Sequence, residues 1–416
     1  MIQDLHLIPI RPQYTERVNC PKCGSAVETS AIRFPGIHVL SENHCNKCGL
    51  QFVQDLKVGF AAQHPVAIDR KNSELFNISN APGWYTYPLL KGSRSPSDQH
   101  IPIERIVHRK TDRIIILNCI DFLYGHVLLK LWNAQYYLDK HPDTGLVLIL
   151  PKMFSWLVPK GTAEVWQVDL RLGQAHGWYN SIDRWVQERI GEYREIYMAK
   201  GYAHPDLTRI DMERFSGIKA FPLEEFNSRS RHITFIARQD RLWNAGPFGD
   251  LIFRAIQRMK LRKRFGPWMV AGQTRRIKRT MEQIRKIYPD IQFTVVGLDR
   301  SGGFEGLAED LRSEKMDLER ELAWCRAYAK SQVVVGVHGS NMLLPTAFAA
   351  GAVEILPKDR HGNMVQDIFV RYTNRMQLFM YRFVREHATP AEVADQCVAM
   401  LRDMEAYHRN MCVYTV

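Results

Sequence analysis

Short, unbroken apolar runs alternate with longer stretches of helical spacing through most of the chain, and that alternation sets the fold expectation. Residues 113–120, RIIILNCI, form a run of the kind covered on both faces of a sheet. The next twenty residues place Leu123, Val127, Leu128, Leu131 and Trp132 at helical period. GLVLILP at 145–151 predicts a second strand, AEVWQVD at 163–169 a third, and the spacing over about 180–198 an amphipathic helix. A second series opens near 231. HITFIA and IQFTVVGL predict strands flanking helices over 248–264 and 274–288, and LERELAWCRAYAKS predicts a helix leading into the apolar run at 333–335. AVEILP is the last clear strand, with helices expected over 363–371 and 391–410. Such alternation predicts parallel sheets. The expected fold class is α/β, with two Rossmann-like units at 113–230 and 231–380 and closing helices at 381–416.

The first 112 residues read differently. CPKC supplies Cys20 and Cys23, and CNKC supplies Cys45 and Cys48, each pair followed by glycine. Two such knuckles match a four-thiolate zinc site, since each turn offers two sulfurs to one tetrahedral ion. Short strands such as HVL and QFV surround them, so residues 1–60 read as a zinc ribbon whose structural Zn²⁺ supplies much of its stability. Cys119, Cys325, Cys397 and Cys412 are scattered and read as ordinary buried residues. Residues 61–112, with SNAPGWYTYP and KGSRSPSDQ, read as a linker or a wrap, and Trp84, Tyr85 and Tyr87 imply packing.

Chemistry concentrates where strands end. Gly336, His338, Gly339, Ser340 and Asn341 follow the 333–335 run, at the carboxyl edge where open α/β sheets form their ligand crevice. Ser340 or Asn341 there can cap the next helix and aim its free N–H groups at a phosphate or carboxylate, although a plain βα turn has the same composition. Arg238, Arg241 and Asn244 lie just beyond HITFIA; an arginine fork suits a pyrophosphate, and a surface pair is the plainer alternative. Glu354 is expected at the same rim, as a ribose ligand or a solvated strand end. Asp121, beyond RIIILNCI, and His126, within helical spacing, are candidate bases; a cap and a core histidine are their structural alternatives.

These residues also carry a resemblance. Gly336, His338, Gly339, Asn341, Glu354 and Pro357 resemble the glycosyltransferase family 61 signature, a Gly-x-His-Gly turn followed by an Asn-containing helix and a strand ending Glu-x-x-Pro. ITFIARQDRLWN and DFLYGHVLLKLW resemble two further segments of that family, and the likeness covers roughly residues 113–380. It implies the GT-B architecture and inverting transfer from a nucleotide sugar, a UDP-sugar by analogy, to a glycan or lipid-linked acceptor, as in surface polysaccharide biosynthesis. It implies donor binding by Arg238, Arg241, Asn244, His338, Gly339, Ser340, Asn341 and Glu354, and it makes His126 the shared position for the base, with Asp121 the candidate read from the strand end. Two departures stand out: the family pattern has no zinc ribbon, and Ser340 replaces the usual small residue after His-Gly.

Composition narrows the partners. The 416 residues hold 45% hydrophobic and 24% charged residues, with a formal charge of +12, ordinary for a globular protein apart from the basic excess. The start of the chain lacks the basic-then-apolar run of a signal peptide, which points to a cytoplasmic protein. The basic run from Arg254 to Lys286 reads as a solvated face or as a contact with the anionic inner face of a membrane. The lack of a DxD motif beside an apolar strand leads to no expectation of a catalytic metal. The alternative function is a zinc-ribbon module binding nucleic acid or protein without catalysis. The ribbon has few aromatics, Tyr14, Phe34 and Phe52 among them, and few charges beside them, which makes nucleic acid the weaker partner.

Overall fold

The structure, a computed structural model, describes residues 2–59, 64–76, 83–202, 205–259, 262–298 and 302–412. Lys260 and the side chains of Trp84, Tyr85, Arg262, Lys263 and Arg264 lie outside the described set. The chain divides into two compact units, Met1–Asp206 and Leu207–Val416.

In the first unit, β1 (Leu7–Arg11) precedes a six-stranded antiparallel sheet of β2 (Val18–Asn19), β3 (Ala26–Arg33), β4 (Leu40–His44), β5 (Gln51–Asp55), β6 (Ala67–Asp69) and β7 (Leu75–Phe76). Helix α1 (Gly83–Arg94) leads to β8 (Ile103–Val107), β9 (Arg113–Asn118), α2 (Tyr124–Trp132), α3 (Ala134–Lys140), β10 (Gly145–Pro151), β11 (Glu164–Val168), α4 (Asn180–Ile190) and β12 (Glu195–Ala199). The main sheet runs β1-β12-β9-β10-β11-β8. Its four central strands are parallel, and β1 and β8 close the two edges antiparallel. Ile114, Ile116, Val147, Ile149, Trp166 and Met198 join the core on one side of this sheet.

The second unit holds α5 (Met212–Ser216), β13 (His232–Arg238), α6 (Pro247–Arg258), α7 (Arg262–Ile287), β14 (Gln292–Leu298), β15 (Glu309–Asp310), α8 (Leu318–Lys330), β16 (Val333–Val337), α9 (Leu343–Phe348), β17 (Gly351–Leu356), α10 (Met376–Met380), β18 (Tyr381–Arg385) and α11 (Pro390–Cys412). Its sheet is wholly parallel in the order β15-β14-β13-β16-β17-β18. Numbered from β13, this is the doubly wound order 3-2-1-4-5-6, which reverses between β13 and β16.

The α/β class, the two parallel-sheet units and the cysteine-bearing small sheet match the expectation. Several boundaries differ for physical reasons. Residues 7–11 pair with β12 and so belong to the first parallel sheet, while the small sheet extends through β6 and β7 into the segment read as a linker. The helix expected to 198 stops at Ile190, because Tyr193, Ile196 and Met198 are needed inside the sheet core. Residues 363–371 form turns and irregular backbone, not a helix, and β18 was missed because YRFVR shows no regular apolar–polar alternation, its two arginines standing three residues apart at the sheet edge.

Candidate functional sites at the two sheet reversals

Cys20, Cys23, Cys45 and Cys48 converge as the spacing implied. Gly24 and Gly49 adopt φ of +75° and +72°, and their N–H groups donate to the Cys20 and Cys45 carbonyls at 2.8 Å each, closing two matching turns. The sulfurs lie 3.6 Å (Cys20–Cys48) and 3.5 Å (Cys23–Cys45) apart, and all four fall within 4.8 Å of one another. A tetrahedral zinc with sulfurs at about 2.3 Å requires sulfur separations of about 3.8 Å. The cage therefore fits Zn²⁺ without rearrangement.

In the second unit the reversal between β13 and β16 collects the anion chemistry. Arg238 ends β13, and Arg241 lies in the loop beyond it; both reach the turn after β16. Arg238 Nη1 donates to the Asn341 side-chain oxygen, and Arg241 Nη1 donates to the His338 carbonyl at 2.7 Å. Between them lies Gly339 at φ +150°, where an added Cβ would sit 3.0 Å from Arg238 Nη1 and 3.1 Å from Arg241 Nη1. Arg360, beyond β17, adds a third cation that, with Arg238, lowers the pKa of Arg241 after burial itself has done so. Asp240 pairs with Arg238, whose carbonyl accepts from Gln273 Nε2 at 2.9 Å, while the Trp243 N–H donates to Gln273 Oε1 at 3.1 Å, so Gln273 holds the loop at both ends. A cation disfavoured by burial and by neighbouring cations, as Arg241 is, is one that a bound anion relieves.

His338 and Glu354 occupy different positions from those expected. Both are buried, at 0% and 1% exposure, with His338 Nδ1 2.6 Å from Glu354 Oε2. Glu354 therefore does not face the rim: its place on β17 opposite Gly336 turns it inward beneath the turn. Burial raises its pKa, and His338 opposes the rise. The His338 side chain is likewise unavailable to a ligand in this conformation; it anchors the turn from below. Nor does Ser340 or Asn341 cap α9, whose N-cap is Met342 without a side-chain bond. Asn341 instead accepts from Arg238, leaving its buried Nδ2 without a partner among the described residues. Asn244 is drawn to Asp250, donating at 2.7 Å.

In the first unit the reversal falls between β9 and β12. Asp121, three residues past β9, is fully buried with Lys130 Nζ 2.8 Å away and His126 Nδ1 3.5 Å away. Lys130 also donates to the Ile120 carbonyl at 2.9 Å, and Asp121 accepts the Leu123 N–H at 3.1 Å. Burial alone would raise the Asp121 pKa; the Lys130 charge, with His126, more than reverses that and holds it at about 2. His126 keeps 18% of its side chain exposed, so α2 neither buries it as core nor frees it from Asp121. Sequence reasoning missed Lys130, which is buried among the apolar residues of α2.

Two residues of the basic run, both on α7, also depart from the solvated-face reading. Arg276 stacks 4.8 Å over Trp243, and Lys278 lies 5.7 Å from the Phe304 ring, so these are packing residues and not a solvated face.

No family model and no curated protein matches the chain. Among solved structures, it is similar to the ADP-heptose LPS heptosyltransferase II of E. coli at 9% identity and a TM-score of 0.37, over 70% of this chain and 99% of that one. A family 9 glycosyl transferase from Veillonella parvula gives 8% identity and 0.39, over 71% and 99%. A putative UDP-N-acetylglucosamine 2-epimerase from Listeria monocytogenes gives 10% and 0.31, over 72% and 69%. Likenesses at this level fix neither family nor activity. Among the described residues, no helix is long and apolar enough to cross a membrane.

Proposed function

We propose that the chain is an inverting glycosyltransferase of GT-B type, moving a sugar from a nucleotide donor, with UDP the expected carrier, to a hydroxyl of a glycan or lipid-linked acceptor. The observation that carries this reading is the pair Arg238 and Arg241 gathered over Gly339 at the reversal of a doubly wound sheet. Arg241 would meet one phosphate and Arg238 would exchange its Asp240 carboxylate for the other, and their charge would stabilise the leaving nucleoside diphosphate without a catalytic metal. The buried Asn341 Nδ2, without a partner among the described residues, would gain one from a phosphate oxygen that entered the turn at Gly339.

In the GT-B architecture that the sequence resemblance implies, one unit serves the donor and the other the acceptor. The acceptor oxygen bonds to the anomeric carbon as that carbon's bond to the diphosphate oxygen breaks, its electron pair leaving with the diphosphate. The acceptor proton passes to His126. Asp121 is the weaker base, since a carboxylate held at about 2 by Lys130 binds protons poorly at neutral pH. It serves better as the group that orients His126 through Nδ1 and stabilises the imidazolium. His338 and Glu354 act as positioning residues under the turn. Structural zinc in the ribbon completes the assignment, and a cytoplasmic enzyme in surface polysaccharide synthesis is the setting the reading favours.

Calorimetric titration with UDP, ADP, GDP and CDP tests it. One nucleotide should bind, and Arg238→Ala and Arg241→Ala should each weaken it by about tenfold or more, the value of a charge-assisted hydrogen bond. His126→Ala should keep that affinity and lower turnover about 10²–10⁴-fold. Absence of nucleotide binding together with salt-sensitive binding to DNA or RNA would replace the transferase with the ribbon-based binding module.

A further inference from the structure

Helices α6 and α7 carry apolar side chains on two sides. Phe253, Ile256, Met269 and Val270 face inward and form a small core with Leu242. Outward stand Phe248 at 74% exposure, Leu251 at 61%, Met259 at 59% and Trp268 at 61%. Helical spacing places Phe248, Leu251 and Ala255 in one row that runs on into Met259, with Arg254 and Arg258 in the row beside it. On α7, the row of Trp268 continues into Arg275 and Arg279, both exposed. Single exposed apolar residues are ordinary, but a group of large ones fringed by arginine marks a contact surface.

We propose that this face docks on an anionic lipid bilayer. Phe248, Leu251, Met259 and Trp268 enter the headgroup–acyl boundary, and Arg254, Arg258, Arg275 and Arg279 meet lipid phosphates. Interfacial helices have this make-up: Phe, Leu and Trp on one face, arginine and lysine beside it. Charge chooses among the occupants. Between residues 247 and 279 the chain has ten basic residues and one acidic residue, Asp250, so this segment holds +9 of the chain's +12. Asp250 is itself engaged by Asn244 and His387. A second copy would bring two such charges together, which disfavours self-association. A nucleic acid would gain nothing from Leu251 and Met259, which offer bases no aromatic face for stacking. An anionic leaflet takes both the charge and the apolar row. Because α6 follows directly on the Arg238–Asn244 loop, docking brings the carboxyl edge of the second sheet toward the bilayer. The surface stands on its own residues and does not depend on the transfer reaction.

The test is co-sedimentation of the full chain with phosphatidylcholine vesicles, with and without about a third phosphatidylglycerol. Binding should appear on the anionic vesicles and weaken at high salt. Arg254→Glu with Arg258→Glu should lower it roughly tenfold or more, at about a factor of five per charge near the surface. Phe248→Ser with Trp268→Ser should also lower it while leaving the melting temperature and nucleotide affinity unchanged. Equal binding to both vesicle types, no binding to either, or binding indifferent to both double variants would overturn the proposal. So would a dimer in solution that the Phe248/Trp268 variant dissociates, since the face would then belong to a second copy.

Discussion

Gly339→Ala is the sharpest probe of the candidate anion site, because one methyl group meets two separate constraints there. The residue sits at φ +150° and ψ 175°, a region that is essentially glycine-only, and holding an L-residue in it costs about 1–3 kcal/mol. The added Cβ would also lie 3.0 and 3.1 Å from the two guanidinium groups, closer than carbon and nitrogen normally approach, so Arg238 and Arg241 must give way. The backbone cost should lower the melting temperature of the second unit by about 2–4 °C per kcal/mol. The displaced forks should weaken nucleotide binding by about tenfold or more, one charge-assisted hydrogen bond's worth. Calorimetry and thermal denaturation read the two effects separately. Gly272→Ala is the control: its Cβ meets nothing within 4 Å in α7, so stability should hold or rise and nucleotide affinity should not move. Wild-type stability and wild-type affinity in Gly339→Ala would refute the account of this turn.

Two further outcomes follow from buried charge. Lys130→Met strands Asp121 in the core and should cost about 3–5 kcal/mol by chemical denaturation, with much of that loss recovered in Lys130→Met/Asp121→Asn; an equal loss in both would show that the lysine matters only for packing. On the pH axis, His232 has its pKa lowered to about 4 by burial, between Ser331 Oγ and Thr294 Oγ1 at 2.9 Å each. The unfolded chain takes up that proton near pH 6.5 and the folded one only near 4, so stability should fall steadily as pH drops between those values. Asp121 acts lower: its stabilisation persists above pH 4 and is lost as pH falls through about 2. His232→Gln should flatten the upper limb of the stability–pH curve; an unchanged slope would refute that assignment.

What could be read from the sequence followed from local rules. Apolar runs marked β9, β10, β13, β14, β16 and β17, and the residues just past them fell at sheet edges because strands of a doubly wound sheet present that end to the crevice. The knuckle spacing located the metal cage for a similar reason, each turn being complete within five residues. Most of the misses depend on partners distant in the chain. Glu354 looked like a rim residue until the register of β17 against β16 set it beneath Gly336, facing His338. Lys130 was passed over for a nearer reason: helical spacing alone does not show that α2 folds back over the β9 turn and buries it against Asp121. Arg360 joined the cation cluster only through the crossing from β17, and Arg276 left the expected basic face because Trp243 offered a ring to cover.

The ribbon shows the same dependence on distant contacts. Beyond its cysteines the strand β3, still paired with β4 at Ile32 and Arg33, leads into residues 34–36, which are tied to α4, its N-cap and β9. The Phe34 N–H donates to Asp183 Oδ1 at 2.7 Å, the Tyr179 N–H to the Pro35 carbonyl at 2.8 Å, and Asn118 Nδ2 to the Gly36 carbonyl at 2.8 Å. Asn118 is the last residue of β9, three before Asp121, and its own Oδ1 accepts the Ile120 N–H at 3.1 Å. A metal held by the four cysteines would therefore restrain β3, β3 would restrain Gly36, and Gly36 the turn that holds Asp121 against Lys130 and His126. Removing zinc with a chelator should speed amide exchange not only over the knuckles but also at residues 118–123, while β13–β18 keep their protection. Exchange that accelerates at the knuckles alone would mean the ribbon folds as a separate appendage. Exchange that spreads to Asp121 would give it a part in shaping the candidate proton-accepting site.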